Sequence, residues 1–222
     1  MARDVLLVFV KDPRPGTAKT RLAAALGAET AALLYRALAE AEVAATEPRD
    51  REYDRIFCFA PAEARAAVEA WFPGETLVPQ EGVDLGERMA CAFATAFAGG
   101  AGRVAVVGTD VPWVNRETVA AAFDALAAAD VVLGPAQDGG YYLLALKRPC
   151  PALFEGIAWS TPEVRAATEA RARGLGLTVT RLGVLRDIDT VADVEAERER
   201  LFPLLADRPQ LRAALERAFE SA

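Results

Sequence analysis

The chain has 222 residues, 53% of them hydrophobic and 26% charged, with a formal net charge of −7. That length can bury a sizeable core without a disulfide or structural metal, and the acidic balance argues against a general nucleic-acid binder, which needs a basic face. There is no histidine, which removes Ser-His-Asp and Cys-His catalysis, His-ligated zinc and imidazole acid–base chemistry.

Any chemistry must therefore use carboxylates, Lys, Arg, hydroxyls or a metal held by oxygen. The three cysteines, Cys58, Cys91 and Cys150, fit no zinc or redox spacing and are expected to be free thiols in a reducing cytoplasm. The longest apolar run falls short of the roughly 18 to 20 residues that a membrane span needs. Met1-Ala2-Arg3-Asp4 leads into an apolar run that Lys11-Asp12 ends too soon for a secretory signal. A cytoplasmic protein with no membrane or nucleic-acid partner is expected.

Val5 to Val10 is an unbroken apolar run, the pattern of a parallel strand buried on both faces. Residues 11 to 18 form a loop, and a helix begins near Lys19 with Leu22 and Leu26 on one face. Gly27 interrupts it, and Leu33, Leu34, Leu38 and Val43 continue an apolar stripe. Arg55 to Phe59 is a second strand, Pro61 opens a helix with Glu63 near its start, and Thr76 to Val78 is a short strand. A polar loop from Gln80 to Gly86 precedes a helix from Glu87 to Phe97. Val104 to Val107 is a strand, Asn115 caps a helix to about Ala129, and Val131 to Leu133 and Tyr141 to Leu146 are coupled strands. Two helices flank Trp159, a strand lies around Leu177 to Leu182, and the chain is helical from Thr190. With no internal repeat or linker, this alternation predicts a single-domain three-layer α/β/α fold over residues 1–222, with a mostly parallel sheet.

Four segments could carry chemistry. The loop after the first strand brings Lys11, Arg14, Lys19 and Arg21 to a helix start, which suits a polyphosphate, although the Walker A glycine spacing is missing. Gly108-Thr109-Asp110-Val111-Pro112 sets an acidic residue beyond a buried strand, where a hard divalent cation or a turn could use it. Asp138-Gly139-Gly140-Tyr141 allows close backbone approach of a ligand, or simply a hairpin turn. In Asp187-Ile188-Asp189-Thr190, Thr190 and Asp193 form a capping box, which leaves Asp187 and Asp189 free for a metal. Gln80 to Arg88 and Trp159-Ser160-Thr161 are further candidates; Ser160 or Thr161 could instead cap the following helix, with Pro162 in its first turn.

Taken as an ordered set with Leu85-Gly86-Glu87-Arg88-Met89, these segments resemble the nucleotide-diphospho-sugar transferase superfamily of GT-A-type fold. More closely, they resemble the bacterial glycosyltransferase-like family related to 2-phospho-L-lactate guanylyltransferase and molybdenum-cofactor nucleotidyltransferases. The resemblance implies a nucleotide site of Lys11, Gly16, Lys19, Thr20, Arg21, Gln80, Gly86 and Thr109, with Lys19 and Arg21 on phosphates and Gln80 and Gly86 near the base. It implies Mg2+ or Mn2+ on Asp110 and Asp189, or less favourably Asp187. Asp138, Gly139, Gly140, Tyr141, Trp159 and Ser160 would line the acceptor side, and Lys19, Arg21, Asp110 and Asp138 would be the catalytic set. The first loop is not of the Leu-Ala-Gly-Gly type of sugar nucleotidyltransferases, so the base does not carry over.

The leading expectation is nucleotidyl transfer from a nucleoside triphosphate to a phosphorylated small-molecule acceptor. An acceptor phosphate is already an anion and needs no base, which suits a chain without histidine. Glycosyl transfer from a nucleotide sugar and a non-catalytic nucleotide-binding module stand as alternatives. The oligomeric state stays open.

Overall fold

The structure, a computed structural model, describes residues 3–219. Met1 and Ala2 of the N-terminal reading and the last three residues of the helical C-terminus lie outside them. The strands are β1 (Arg3–Lys11), β2 (Asp54–Ala60), β3 (Thr76–Pro79), β4 (Ala101–Val107), β5 (Val131–Pro135), β6 (Tyr141–Leu146) and β7 (Val179–Arg181). They form one sheet in the order β3-β2-β1-β4-β6-β5-β7. All neighbours are parallel except β6, which runs antiparallel to β4 and β5. The β5–β6 connection is the hairpin that Asp138-Gly139 signals, closed by Ala136 N–H donating to Gly140 C=O at 3.1 Å.

Successive strand residues face opposite sides, and both sides of β1 and β4 are apolar. Leu6, Val8, Val10, Ala105 and Val107 join one cluster, and Val5, Leu7, Val104 and Val106 join another. The first cluster is covered by α2 (Ala28–Ala45), α3 (Arg65–Trp71) and α5 (Arg116–Ala125), and the second by α4 (Leu85–Ala98) and α6 (Val164–Gly174). This is the expected three-layer arrangement. A third cluster packs α1 (Thr20–Leu26) and α2 against α7 (Val191–Ala196), α8 (Arg198–Leu204) and α9 (Pro209–Phe219), with Ile188 fully buried among them. No helix among the described residues is long and apolar enough to cross a membrane.

The element boundaries hold to within a few residues, with four local corrections. Leu33 is 55% exposed and lies off the stripe that buries Leu34, Leu38 and Val43. Helix α4 starts at Leu85, not Glu87, because Asp84 accepts the Glu87 N–H as N-cap, so Gly86 belongs to the helix rather than the loop. A 3-10 turn, Ala62–Ala64, separates Pro61 from α3, and a second, Pro151–Phe154, is the first of the two helices flanking Trp159. Neither Ser160 nor Thr161 caps α6; Glu163 holds the N-cap position without a side-chain bond, and the Thr161 hydroxyl donates to Ala158 C=O.

Candidate active site

The strand ends that carry β1, β4 and the start of β6 open onto a cleft of about 770 Å³. A second cleft of about 360 Å³ adjoins it. Arg21, Asp110, Asp189, Tyr141, Trp159 and Ser160 line both.

The centre of the junction is an ion triad. Lys19 Nζ lies 2.8 Å from Asp110 Oδ1 and 2.6 Å from Asp189 Oδ1. The lysine side chain is 3% exposed, while Asp110 and Asp189 are 52% and 35% exposed. Burial opposes the charged form of Lys19, but Asp110 and Asp189 outweigh it and hold its pKa above the ordinary lysine value. Burial likewise opposes ionisation of Asp110, and the Lys19 ammonium outweighs it and holds that pKa low.

The backbone builds this meeting. Ile188 N–H donates to Asp110 C=O at 3.2 Å. Because the Ile188 side chain is buried, Asp187 and Asp189 on either side of it face the clefts. Thr190 and Asp193 form the full capping box of α7, with the shorter Asp in the usual Glu place. Asp193 also accepts the Asp189 N–H at 3.3 Å, which ties the cap to the site.

Tyr35, from α2, was not singled out by the sequence. Its hydroxyl accepts the Lys11 N–H at 2.8 Å and lies 2.9 Å from Thr109 Oγ1, so it joins the ends of β1 and β4. Thr109 is thus buried and bonded to Tyr35 and to Phe9 C=O, and it also lines the first cleft. Removing the hydroxyl in Tyr35→Phe leaves the Lys11 amide without its partner. It is expected to lower stability by about 1–3 kcal/mol in denaturant unfolding; an unchanged midpoint would contradict this role.

Glu42 lies two helical turns further along α2. It is 1% exposed, and neither carboxyl oxygen has a hydrogen-bond partner of ordinary geometry. Burial first, and the nearby Asp110 charge second, raise its pKa well above 4.5. The stability that the neutral carboxyl allows is therefore fully present below about pH 4.5 and is lost as pH rises through the higher folded-state value. Glu42→Gln should remove that part of the loss, so its melting temperature should fall less than the wild type's as pH is raised. Parallel pH profiles would count against the assignment.

Lys11, Thr20, Arg21 and Gln80 line the first cleft, and Asp138 and Gly140 line the second. Gln80 Nε2 donates to Cys58 C=O at 2.7 Å, which anchors its amide at the cleft wall. Asp138 Oδ1 accepts the Gly140 N–H at 2.8 Å, so its turn role is present alongside its place in the cleft. Asp187 also lines the second cleft, where burial and the Asp138 charge push its pKa up to about 6.

Four expected placements differ. Gly16 lines neither cleft; it is an exposed turn residue with φ +84°. Arg14 turns away to pair with Asp12 at 2.5 Å instead of joining the other cations. Gly139 is a packing position, where a Cβ would lie 2.0 Å from Pro162 C=O. Gly86 packs under the Trp159 ring, where a Cβ would lie 2.3 Å from indole Nε1, so it is not free to approach a base. Gly86→Ala is therefore expected to displace Trp159 and change tryptophan emission; an unchanged spectrum would refute that contact.

The sequence names Arg88 only as the end of the Gln80 to Arg88 candidate and gives it no role of its own. Arg88 lines the first cleft from α4, with Nε on Gly82 C=O at 3.1 Å. Its spacing from Leu85 by one turn, with both facing the cleft, was the available signal.

Among the described residues no group of three or more Cys, Asp or Glu side chains gathers as a metal cage. Magnesium needs only one or two protein carboxylates when phosphates and water complete its shell. Asp110 and Asp189 fit that requirement, since their oxygens already converge on one cationic point.

A family model described as uncharacterized protein conserved in bacteria (DUF2064) matches residues 42–161, just over half of the chain. A phosphoenolpyruvate guanylyltransferase from Sphaerobacter thermophilus is 32% identical over 191 residues, 85% of this chain and 90% of that protein. A crystal structure from Desulfovibrio desulfuricans G20, described as a nucleotide-diphospho-sugar transferase, is 33% identical. It superposes with a TM-score of 0.87 over 98% of this chain and 99% of that one. The CMP:2-keto-3-deoxy-manno-octonic acid synthetase structure, 12% identical with a TM-score of 0.57 over 91% of this chain and 99% of that one, shares the fold alone. The chain belongs to the DUF2064 family and is a transferase with the nucleotide-diphospho-sugar transferase fold.

Proposed function

We propose that this protein transfers a nucleotidyl group from a nucleoside triphosphate to a small phosphorylated acceptor and releases pyrophosphate. The observation that carries the reading is the junction of the clefts. Lys11, Arg21 and Arg88 put positive charge along the first cleft, and it ends at the Asp110–Lys19–Asp189 triad, where the second cleft begins. The Sphaerobacter relative, named for guanylyl transfer to phosphoenolpyruvate, supports both the reaction type and a phosphorylated acceptor. We read residues 1–222 as one domain acting in the cytoplasm.

In this reading the triphosphate lies along the cationic wall, with its α-phosphorus at the junction. An acceptor phosphate oxygen, entering from the second cleft, forms the new P–O bond as the bond to pyrophosphate breaks. The attacking oxygen is already anionic, so no proton has to be removed. Lys11, Arg21 and Arg88 orient the phosphates and neutralise charge that grows on the leaving group. Asp110 and Asp189 would hold Mg2+ or Mn2+, which supplies further charge neutralisation at the phosphates when bound. Gln80 and Phe9, which also line the first cleft, would flank the base.

A second reading has a specific observation in its favour. The second cleft is acidic, and the Asp187 carboxyl there, raised to about 6, could accept a proton from an acceptor hydroxyl. That suits glycosyl transfer from a nucleotide sugar, in which a nucleoside diphosphate leaves.

Thermal shift with each nucleoside triphosphate, diphosphate and common nucleotide sugar, with and without Mg2+ or Mn2+, tests the nucleotide site itself. A ligand at 100 times its Kd adds about 2.7 kcal/mol, or about 5–11 °C for a domain of this size. A metal-dependent shift with one triphosphate is expected. A larger shift with a diphosphate sugar would favour the second reading, and no shift with any of them would remove the nucleotide site.

A further inference from the structure

Lys19 stands apart from the other cations of the cleft. Lys11 and Arg21 are exposed, whereas the Lys19 side chain is 3% exposed and its ammonium is held by two carboxylates from distant parts of the chain. Its backbone is left-handed, with φ 53° and ψ 48°, a region that few residues other than glycine adopt. Buried Ala18 precedes it, and its carbonyl accepts the Ala23 N–H at 2.8 Å as α1 begins. Held on both sides, the residue turns its long side chain into the junction rather than along the phosphate wall.

The ammonium therefore lies where the two carboxylates would hold a divalent ion. The carboxylate oxygens are 2.6 Å and 2.8 Å from Nζ; magnesium would need them at about 2.0–2.1 Å. The same oxygens cannot converge on both cations at once, and two cations a few ångströms apart in a partly buried site repel strongly. We propose that the Lys19 ammonium and a divalent cation are alternative occupants of the Asp110–Asp189 pair. This rests on the reading of that pair as the metal site.

The charges indicate what drives the exchange. With Lys19 in place the triad carries −1; with a divalent ion the pair is neutral and the ammonium is released. A nearly buried ammonium without a partner is costly, so its release is favoured by an anion close by, and the phosphates of a nucleotide in the first cleft are that anion. Free metal then binds weakly to the resting protein, and metal enters together with the nucleotide. Lys19 keeps the carboxylate pair assembled in the resting state and becomes a phosphate ligand in the loaded one.

The test is a titration with Mn2+ alone, without nucleotide, reading free Mn2+ by electron paramagnetic resonance. Lys19→Met is expected to bind Mn2+ at least about 10-fold more tightly than wild type, because the competing cation is gone and two carboxylates face each other. Asp110→Asn in that background should abolish the gain. Lys19→Gln provides the same comparison should the methionine variant fail to fold. In the wild type, the shielded Lys19 ammonium should give a slowly exchanging 15N–H signal that saturating Mg2+ shifts or erases. Equal or weaker Mn2+ binding by the variants, a gain that survives Asp110→Asn, or a Lys19 signal unmoved at saturation would each overturn the proposal. Nucleotide shifts are read separately, so loss of this competition and loss of the nucleotide reading are distinguishable.

Discussion

Asp110→Ala is expected to lower turnover at least about 100-fold, the scale of losing a preorganised charge at a reacting phosphate. Asp110 lies three residues beyond the end of β4, and its side chain is 52% exposed, so truncation leaves a hydrated gap rather than a cavity in the core. The buried strand behind it, Val104 to Val107, keeps its packing on both faces. The variant should therefore fold, with a circular dichroism spectrum like the wild type's. Asp110→Asn preserves shape and removes charge, and it should be nearly as inactive. Turnover close to wild type in either variant would take Asp110 out of the site.

Lys19→Ala should have an effect of similar size, again at least about 100-fold. Its two partners lose the charge between them, but both are partly hydrated, at 52% and 35% exposure, so the fold survives. Lys19→Arg should not restore activity. A compact ammonium reaches Asp110 and Asp189 together in a space that leaves it 3% exposed; a planar guanidinium is larger and donates along a fixed fork. Steady-state rates for both variants, beside melting curves, check this. Full activity in Lys19→Arg would mean that charge alone matters here and that the close fit does not.

The layers of the fold were legible because their pattern is local. An apolar run such as Val5 to Val10 can be satisfied only by burial on both faces, and both faces are buried. Asn115 and Thr190 were readable as caps because the donor each satisfies lies three residues on. The carboxylates at the ends of strands were also recognisable one by one. Their pairing with Lys19 was not, because that lysine and Asp189 are 170 residues apart in sequence and only the folded sheet brings them together. Tyr35 and Glu42 were hidden for a different reason. Helical periodicity shows that they face inward, but it does not distinguish a core from the underside of a site. Gly86 was misread because a glycine in a polar loop and a glycine under an indole ring look alike until Trp159 is in place.

The reaction itself is tested most directly by its leaving group. The protein would be incubated with each nucleoside triphosphate, phosphoenolpyruvate as the first acceptor and Mg2+, and pyrophosphate would be measured over time. Pyrophosphate released in step with acceptor consumption, and absent in Asp110→Ala, is the expected result. Release of a nucleoside diphosphate from a nucleotide sugar, with no pyrophosphate from any triphosphate, would contradict nucleotidyl transfer and make the acidic second cleft a site for glycosyl acceptors.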